Sequence, residues 1–509
     1  EYNLNMFFNS GGYSMNDNVM KDVAYLSKTL FIKGLQCHKA LYLHKYHPEL
    51  KDEISEVQQA LFRSGTDVGV LARQLFPGGV EIPYEGLSLS DQVRRTQAEI
   101  EQGTATIYEA AFCHEGSFCK VDILNKGETG WEIYEVKSST EIKDVYYDDV
   151  AFQYYVLKGA GLAVSRVSLV YINNQYVKSG DIDVNELFTS EDMTANVVET
   201  ESRISVELTE QRAMLAGGMP EIDIGRYCRD PYDCDFIGHC WSHIPENSVF
   251  DLRERGIDKF DLYRQGILDM RDIPEDMLNF KQGVQVEGTL HKKDHIIKDN
   301  IRDFLQSFWY PACFLDFETF MSPIPLFDGT RPYQQIPFQY SLHYMEIAGS
   351  RLRHTEFLAA PDSDPRKELT DKLMNEIPGD ACVIAYNMAF EKRILRDLAS
   401  WFPEYNERIE HIISNMRDLM APFRAKDCYL WQMNGSYSIK AVLPALVPEM
   451  SYEGMEISDG GMAMNAYSIM CATRDPAELD RIRKALCEYC SLDTLGMVRI
   501  VEKLREFSK

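Results

Sequence analysis

The stretch Ala312-Cys-Phe-Leu-Asp316-Phe-Glu318-Thr-Phe320 decides the fold of the C-terminal part of this chain. Its apolar run predicts a buried strand, and side chains two residues apart on a strand share one face. Asp316 and Glu318 therefore project together from an otherwise apolar strand. Carboxylates gathered in this way repel one another unless cations lie among them, which is typical of sites that bind divalent metal ions.

Two later segments supply further acids in a fixed order along the chain. The first is Tyr386-Asn387-Met-Ala-Phe390-Glu391. The second is Glu488-Tyr489-Cys490-Ser-Leu-Asp493, in which Tyr489 and Asp493 stand four residues apart and share one face of a predicted helix. An ordinary strand edge or a solvated helix face explains any one of these motifs. Three of them in order favour a site in which four acids and one phenol converge around two Mg²⁺ or Mn²⁺ ions, roughly 4 Å apart in phosphodiester-cleaving sites.

These motifs resemble those of the DEDD superfamily of exonucleases, in the subgroup whose third motif is Tyr-x-x-x-Asp. The resemblance covers about residues 308–509. It implies a DnaQ/RNase H-like fold and metal-dependent 3′–5′ exonuclease activity, with Tyr489 orienting the attacking water. The metal ligands that it implies are Asp316, Glu318, Glu391 and Asp493. The second motif of that family usually ends in Asp, whereas this chain has Glu391, which is one methylene longer and can still reach a metal.

Length and composition set limits on the class of protein. At 509 residues the chain is long enough for two or more domains, and its hydrophobic content of 45% supports real cores. The net charge of −26 opposes long-range attraction to a polyanion, so nucleic acid must be held by local basic patches and metals. The chain has neither a membrane-length apolar stretch nor a secretory leader pattern, and we expect a cytoplasmic protein without a membrane partner.

A second set of acids lies in the N-terminal part. Lys120-Val-Asp122 is followed by Trp131-Glu-Ile-Tyr-Glu135-Val-Lys137, where Glu135 and Lys137 share one face of a predicted strand and Asp122 ends its neighbour. Two acids can hold Mg²⁺ against a phosphate while a lysine positions water and offsets negative charge. This arrangement is common by chance. Glu109, on the preceding strand, either supplies a further acid or is a residue at the edge of the core.

Four of the twelve cysteines are spaced as a ligand set. Cys37 lies far upstream, and Cys228, Cys234 and Cys240 follow at intervals of six residues. Their thiolates can ligate either an iron-sulfur cluster or a tetrahedral zinc ion. Structural zinc sites favour closer cysteine pairs, so the cluster is the preferred interpretation, with unrelated core cysteines as the remaining alternative. Cys487 and Cys490 form a possible redox pair, although packing within a helix explains them better.

The segment of about residues 25–245 resembles the RecB-like branch of the PD-(D/E)xK nucleases, and more closely the iron-sulfur nucleases associated with CRISPR adaptation. In those proteins one cysteine precedes the nuclease core and three follow it, and together they ligate a [4Fe-4S] cluster. The resemblance implies that role for the four cysteines and a catalytic role for Asp122, Glu135, Lys137 and Gln153. The upstream histidine of many members is not evident, and Glu109 is the candidate to replace it.

We therefore expect an α/β protein with a restriction-endonuclease-like domain at 21–245 and an RNase H-like domain at 309–509. A flexible extension at 1–20 and a helical connector at 246–308 complete the predicted organisation. Within it, the sequence predicts one capped helix from Ser27 to His44 and a mostly helical stretch from Glu186 to Ala216.

This pairing resembles a bacterial family of uncharacterised RecB/RNase H-like fusion proteins. It implies cleavage of nucleic acid in DNA repair or mobile-element defence, with DNA and single-stranded ends favoured as substrate. The alternatives are an iron-sulfur nucleic-acid-binding adaptor whose nuclease sites have decayed, and an exonuclease that acts on RNA.

Overall fold

The computed structural model describes residues 25–361 and 363–509, so the extension predicted at 1–20 lies outside the described residues. Two compact units account for the chain. Unit 1 comprises the described residues up to His243 together with Ser322–Tyr333, and unit 2 comprises Ile244–Met321 and Gln334–Lys509. Both units combine helices with a mixed sheet, which confirms the predicted α/β class at that level. The segment predicted as a connector, 246–308, belongs to unit 2.

Unit 1 is built on a seven-stranded sheet. Its strands are β1 (Leu26–Ser27), β2 (Val80–Glu81), β3 (Thr106–His114), β4 (Ser117–Lys126), β5 (Trp131–Lys137), β6 (Val164–Ile172) and β7 (Phe188–Asp192). Their order is β2-β3-β4-β5-β6-β7, and β1 pairs with the first residues of β4. The pairs β2–β3, β5–β6 and β1–β4 are parallel, and the others are antiparallel.

The helices of unit 1 cover both faces of this sheet. They are α1 (Lys28–Gln36), α2 (His38–Tyr46), α3 (Glu56–Ala72), α4 (Leu89–Gln102), α5 (Asp144–Gly159), α6 (Val184–Leu187), α7 (Thr194–Leu215) and α8 (Ile237–Cys240). Strand alternation divides the core between the two faces. Ile133 belongs to the cluster that contains Phe31 of α1 and Phe152 of α5, whereas the next residue, Tyr134, packs with Val68 of α3.

The residues Ser322–Tyr333 extend unit 1. The Lys178 amide donates to the Thr330 carbonyl at 3.0 Å, and the Gly329 amide donates back to the Lys178 carbonyl at 2.8 Å. The Tyr333 hydroxyl donates to the Ser138 carbonyl, one residue beyond β5. This segment is therefore joined to unit 1 by main-chain hydrogen bonds as well as by side chains.

Unit 2 is built on a five-stranded sheet with β9 at its centre. Its strands are β9 (Ala312–Phe320), β10 (Ile336–Met345), β11 (Arg353–Leu358), β12 (Cys382–Ala385) and β13 (Met416–Asp418). Their order is β11-β10-β9-β12-β13, with antiparallel pairing from β11 to β9 and parallel pairing from β9 to β13. The short strands β8 (His295–Ile296) and β14 (Cys428–Tyr429) form a separate antiparallel pair.

Ten helices of the described part of the chain belong to unit 2. They are α9 (Lys259–Arg264), α10 (Phe280–His291), α11 (Lys298–Gln306), α12 (Arg366–Glu376), α13 (Met388–Trp401), α14 (Asn406–Ser414), α15 (Ala421–Ala425), α16 (Ile439–Leu446), α17 (Gly460–Ala472) and α18 (Pro476–Phe507). Helix α18 begins where the Asp475 side chain caps the Ala477 amide and Pro476 takes the first helical position. It packs on β9 and β10, where the Gln339 amide donates to the Leu486 carbonyl at 3.0 Å.

Two secondary-structure predictions in unit 1 are wrong. The helix predicted from Ser27 to His44 is divided at Cys37, whose extended backbone ends α1 and precedes α2. The predicted helical stretch from Glu186 contains the strand β7, which pairs with β6 and adds an edge to the sheet. Tertiary pairing outweighs the helical propensity of that short segment. Among the described residues, no helix combines the length and apolar composition needed to cross a membrane.

Gly130 offers a test of the β5–β6 pairing. A Cβ at this position would lie 2.6 Å from the Ala163 carbonyl oxygen, which accepts a 2.7 Å hydrogen bond from the Trp131 amide. We expect Gly130→Ala to lower the free energy of unfolding by about 1–3 kcal/mol, because main-chain atoms must move. The matched control is Gly69→Ala in α3, where the added methyl meets no atom within 4 Å and should stabilise the helix. Equal effects of the two substitutions in urea denaturation would contradict this account.

Candidate functional sites

Strand β9 presents the first two acids of the C-terminal site. Asp316 pairs in register with Ser341, and Glu318 pairs with Gln339. A bulge between Pro337 and Gln339 interrupts the ladder beside Glu318, and such bulges commonly redirect side chains next to active sites. Both carboxyl groups lie on the face of the sheet that α18 covers, since the Cys490 thiol of α18 donates to Asp316 Oδ2 at 3.8 Å.

Glu391 joins this site from the first turn of α13, which follows β12, the neighbour of β9 in the sheet. It is only 2% exposed, and its Oε2 has no hydrogen-bond partner. Burial raises its pKa to about 8, and the charges of Asp418 and Asp493 add to the shift. Burying a carboxylate oxygen without a hydrogen-bond donor costs free energy. A bound cation would supply the missing partner.

Helix α18 supplies Tyr489 and Asp493 on one face, as their spacing predicts. Both side chains are buried. The Tyr452 hydroxyl donates to Asp493 Oδ1, and the Tyr452 and Tyr489 rings make an edge-on contact with centroids 6.2 Å apart. Tyr452 is thus a second phenol in the site, and it comes from the loop before α17.

The carboxyl groups influence one another electrostatically. Burial raises the pKa of Glu318 to about 8, with Asp493 adding to the shift and Lys440 opposing it. Burial also raises the pKa of Asp493 to about 6, although the Tyr452 hydrogen bond and the Lys440 charge favour its ionised form. The pKa of Asp316 lies well above its usual range because of burial and the charges of the other three acids. The four predicted acids therefore form one electrostatic cluster.

Two of these acids and one cysteine are close enough to share one ion. The ligand atoms of Asp316, Glu318 and Cys490 all lie within 4.8 Å of one another. Cys490 was not among the predicted ligands, and its thiol has a raised pKa because it is buried among carboxylates. Cys487 lies one turn earlier and both thiols are free, so the possible redox pair is not joined by a disulfide.

The N-terminal acids of the predicted set also lie together. Glu135 of β5 is buried, and its Oε1 accepts hydrogen bonds from Lys137 at 2.8 Å and from Lys28 at 2.6 Å. Its Oε2 accepts from the amide of Gln153 at 2.6 Å. Burial acts to raise the pKa of Glu135, but the charges of Lys137 and Lys28 outweigh it and hold that pKa well below the usual range.

Asp122 lies at the same site, but its pKa is shifted in the opposite direction to that of Glu135. Its Oδ2 accepts a 2.7 Å hydrogen bond from the Val136 amide. Burial and the Glu135 charge raise its pKa to about 7, against the opposing charge of Lys28. Glu109, the candidate replacement for a histidine, adopts a left-handed backbone conformation and pairs with Lys120 at 3.0 Å and Arg73 at 3.5 Å.

Sequence reasoning missed two charged residues of this site. Asp149 of α5 forms ion pairs with Lys137 and, at 3.6 Å, with Lys28. Asp149 precedes Gln153 by four residues, so helical periodicity was the available signal for it. Lys28 is the first residue of α1, more than 90 residues from the other members, and nothing in its local sequence pointed to the site.

A cavity of about 460 Å³ opens beside these charges. Its wall includes Lys28, Lys137 and Asp149 at one side, and the aromatic residues Phe62 and Tyr232 also line it. Asp233 and Asp235 line it as well, so the cavity is bordered by acidic, basic and aromatic groups together.

The four predicted cysteines line a second, smaller cavity, together with Phe236 and Trp241. Cys37 lies between α1 and α2, and the other three come from the segment at 226–240. The Gln36 amide ties the two regions by donating to the Tyr227 carbonyl at 2.6 Å and the Tyr232 carbonyl at 2.7 Å. Burial raises the pKa of the Cys234 thiol to about 11, and the neighbouring thiols add to the shift.

The cysteine sulfurs are near neighbours but are not tightly clustered. The charges of Cys37, Cys228 and Cys240 all act on the Cys234 thiol. Among the residues that the structure describes, which include all four, no three thiol sulfurs lie within 4.8 Å of one another. In a tetrahedral zinc site with Zn–S bonds of about 2.3 Å, the sulfurs are only about 3.8 Å apart.

Comparisons with known proteins match parts of this chain. Residues 313–438 match the family model described as a domain of unknown function, DUF2779, which spans β9, β12 and the Glu391 helix. An uncharacterised protein of Mycoplasma pneumoniae, the MG366 homolog, is 26% identical over 236 residues, which is 42% of this chain and 35% of that protein. Uncharacterised protein MG366 of Mycoplasma genitalium is 28% identical over 217 residues, 38% of this chain and 32% of that protein. The aligned part of this chain thus spans about a third of the length of these relatives.

Proposed function

We propose that this chain is a metal-dependent nuclease whose unit 2 is an RNase H-like exonuclease of the DEDD type. The observation that carries the proposal is the cluster of four carboxyl groups, drawn from β9, α13 and α18, of which three are buried and one, Asp316, is partly exposed. Within it, Glu391 Oε2 has no protein partner. Neighbouring carboxylates that are removed from water need positive charge close to them if they are to stay ionised. Divalent cations supply that charge, and oxygen-rich sites of this kind suit Mg²⁺ or Mn²⁺.

Each residue of the cluster has a role in this proposal. Asp316, Glu318, Glu391 and Asp493 hold the ions, which supply positive charge to stabilise the charge that develops on the scissile phosphate. Tyr489 keeps its proton because burial and nearby carboxylates raise its pKa, so its hydroxyl orients the attacking water. Tyr452 fixes Asp493 through its hydrogen bond. The extra methylene of Glu391 is compatible with this role, because its carboxyl group acts on the same cluster.

We further propose a second nuclease site in unit 1, of the RecB-like PD-(D/E)xK type. The contacts among Glu135, Lys137 and Gln153 support it, with Asp122 on the adjacent strand. Asp122 and Glu135 are the candidate metal ligands, and Lys137 positions water and offsets negative charge. In the absence of a cation, Lys28 and Lys137 compensate the acids. Nucleic acid, with DNA favoured, is the proposed substrate of both sites.

Cys37, Cys228, Cys234 and Cys240 are the proposed ligands of a [4Fe-4S] cluster. Four thiols around one cavity suit either iron-sulfur or zinc. The six-residue intervals between Cys228, Cys234 and Cys240 favour the cluster, because structural zinc sites favour closer cysteine pairs. Bound there, the cluster supplies cross-links between the α1–α2 junction and the segment at 226–240.

The two sites can be tested separately. We expect Asp316→Asn to abolish digestion of single-stranded 3′ ends, because it removes a metal ligand, while Lys137→Met removes only the cleavage due to unit 1. The assay is gel analysis of end-labelled single- and double-stranded DNA and RNA with Mg²⁺ or Mn²⁺. Matched controls are the exposed Asp480→Asn and Lys158→Met. Binding without cleavage by the wild-type protein would instead favour a decayed adaptor, and cleavage of RNA alone would change the substrate.

Metal binding should show in the pH dependence of stability. The raised pKa values of Glu318, Glu391 and Asp493 mean that the folded state retains protons that the unfolded chain has lost between about pH 4 and 8. In EDTA, the free energy of unfolding of unit 2 should therefore fall as pH rises through that range. Mn²⁺ at 100 times its Kd should restore about 2.7 kcal/mol.

Thermal denaturation at pH 5 and pH 8, with EDTA or with Mn²⁺, measures this effect. The Mn²⁺ stabilisation should be larger at pH 8, where the carboxyl groups are ionised, and smaller in Asp316→Asn. A wild-type midpoint that Mn²⁺ leaves unchanged at both pH values would sink the metal assignment.

Protein purified without oxygen should be brown and contain about four irons per chain. We expect Cys234→Ser to lose the colour and the iron and to destabilise unit 1, since a cluster ligand contributes to folding. Cys113→Ser, a free cysteine of β3 in the same unit, is the matched control and should keep the iron. Iron and zinc are measured by elemental analysis, and a colourless protein with one zinc per chain would support the tetrahedral alternative.

A further inference from the structure

Lys440 is a cationic residue near the unit 2 site to which the proposed function gives no role. It is the second residue of α16 and is partly exposed. Its Nζ lies 5.9 Å from the centroid of the Tyr452 ring and 5.7 Å from that of the Tyr489 ring. The ammonium is thus held by the faces of the two phenols that belong to the site, an attraction worth about 0.5–2 kcal/mol for each cation–ring pair.

The Lys440 ammonium also acts on the acids. Its charge lowers the pKa of Glu318 and that of Asp493, which stand on different elements. Yet none of the described residues forms an ion pair or accepts a hydrogen bond from Lys440 Nζ. Two other cations of unit 2 have such partners: Arg424 contacts Asp418 at 2.9 Å, and Lys426 donates to the Gly435 carbonyl at 2.7 Å. Among the described residues, therefore, the three N–H donors of the Lys440 ammonium have no hydrogen-bond acceptor.

The surroundings of Lys440 fix where those donors can act. Tyr452 is buried and anchored by its hydrogen bond to Asp493, so the ring that supports Lys440 has a fixed position. Tyr489 is the proposed water-orienting residue. The Lys440 ammonium lies beside both rings, and its charge acts on Glu318 and Asp493. It therefore borders the space that a phosphate would occupy when bound to metal ions held by those acids.

We propose that Lys440 is a catalytic residue that donates a hydrogen bond to a non-bridging oxygen of the scissile phosphate. This inference rests on the proposed exonuclease function of unit 2. In the hydrolysis, the water oxygen bonds to phosphorus and the water gives up one proton. The bond from phosphorus to the 3′-oxygen of the preceding nucleotide breaks, and that oxygen takes up one proton, so that the terminal nucleotide leaves as its 5′-monophosphate. Negative charge builds up on the non-bridging oxygens in between, and a positioned cation stabilises it.

The test compares Lys440→Met with Lys440→Arg on a single-stranded DNA oligonucleotide at saturating Mg²⁺. We expect Lys440→Met to lower kcat/KM by about 10²–10³-fold, mainly through kcat, because the contact strengthens as charge develops. Lys440→Arg keeps a cation with donors and should stay within about tenfold of wild type. Lys503→Met, an exposed lysine of α18 paired with Glu506, is the matched control for the loss of one charge.

A second measurement separates contact with substrate from an indirect effect on the acids. Mn²⁺ affinity, measured by calorimetry, should not fall in Lys440→Met, because a cation near carboxylates opposes metal binding. If the wild-type protein is active, two results for Lys440→Met overturn the role of Lys440 and leave the proposed function standing. They are a Mn²⁺ affinity weaker than that of the wild type and a kcat/KM equal to that of the wild type. A wild-type protein without metal-dependent hydrolysis overturns both. Lys440→Gln provides the same test if the methionine variant does not fold.

Discussion

The gathering of four carboxyl groups around β9, three of them buried, is the constraint on which unit 2 depends. Charges taken out of water are costly, and nearby like charges add to that cost. The unit meets the constraint with rigid supports: a central strand, a bulge beside Glu318, and the long helix α18 packed across two strands. A polar ladder reinforces this packing, since Thr494 contacts Ser341 at 2.6 Å and His343 at 2.8 Å. Rigid supports of this kind keep the acids in place when mutual repulsion would separate them.

Unit 1 meets a similar constraint by a different route. Its acids are compensated by protein cations, because Glu135 contacts both Lys28 and Lys137. The consequence is visible in the opposite directions of two shifts: the pKa of Glu135 is held low by these lysines, whereas burial among acids raises the pKa of Glu318 to about 8. The same residue type is therefore ionised in one unit and inclined to hold a proton in the other. A cation bound at the proposed site of unit 1 would displace lysine contacts, whereas one bound at the proposed site of unit 2 would replace protons.

The parts of this structure that sequence could predict are those with a local period. The i, i+2 spacing of Asp316 and Glu318 and the i, i+4 spacing of Tyr489 and Asp493 give their shared faces directly. Sequence singled out Lys440 as a possible phosphate contact, with a solvated lysine at a helix start as the alternative. It did not assign Lys28 or Tyr452 to a site, because each reaches its site from a separate element through tertiary packing alone. The predicted single helix from Ser27 failed for a related reason. Cys37 adopts an extended conformation that suits the cysteine cavity, against the propensity of the residues around it.

Helix α1 connects two features of unit 1 that look independent in the sequence. Its first residue, Lys28, contacts Glu135 and Asp149, and the residue that ends it, Cys37, lines the cysteine cavity. A nine-residue α-helix is a stiff element, about 14 Å long at a rise of 1.5 Å per residue. Its position is fixed at the far end by the hydrogen bonds of Gln36 to the segment that carries the other cysteines. The segment at 226–240 therefore helps to hold α1, together with the β1–β4 pairing directly before Lys28 and the packing of Phe31 on Phe152.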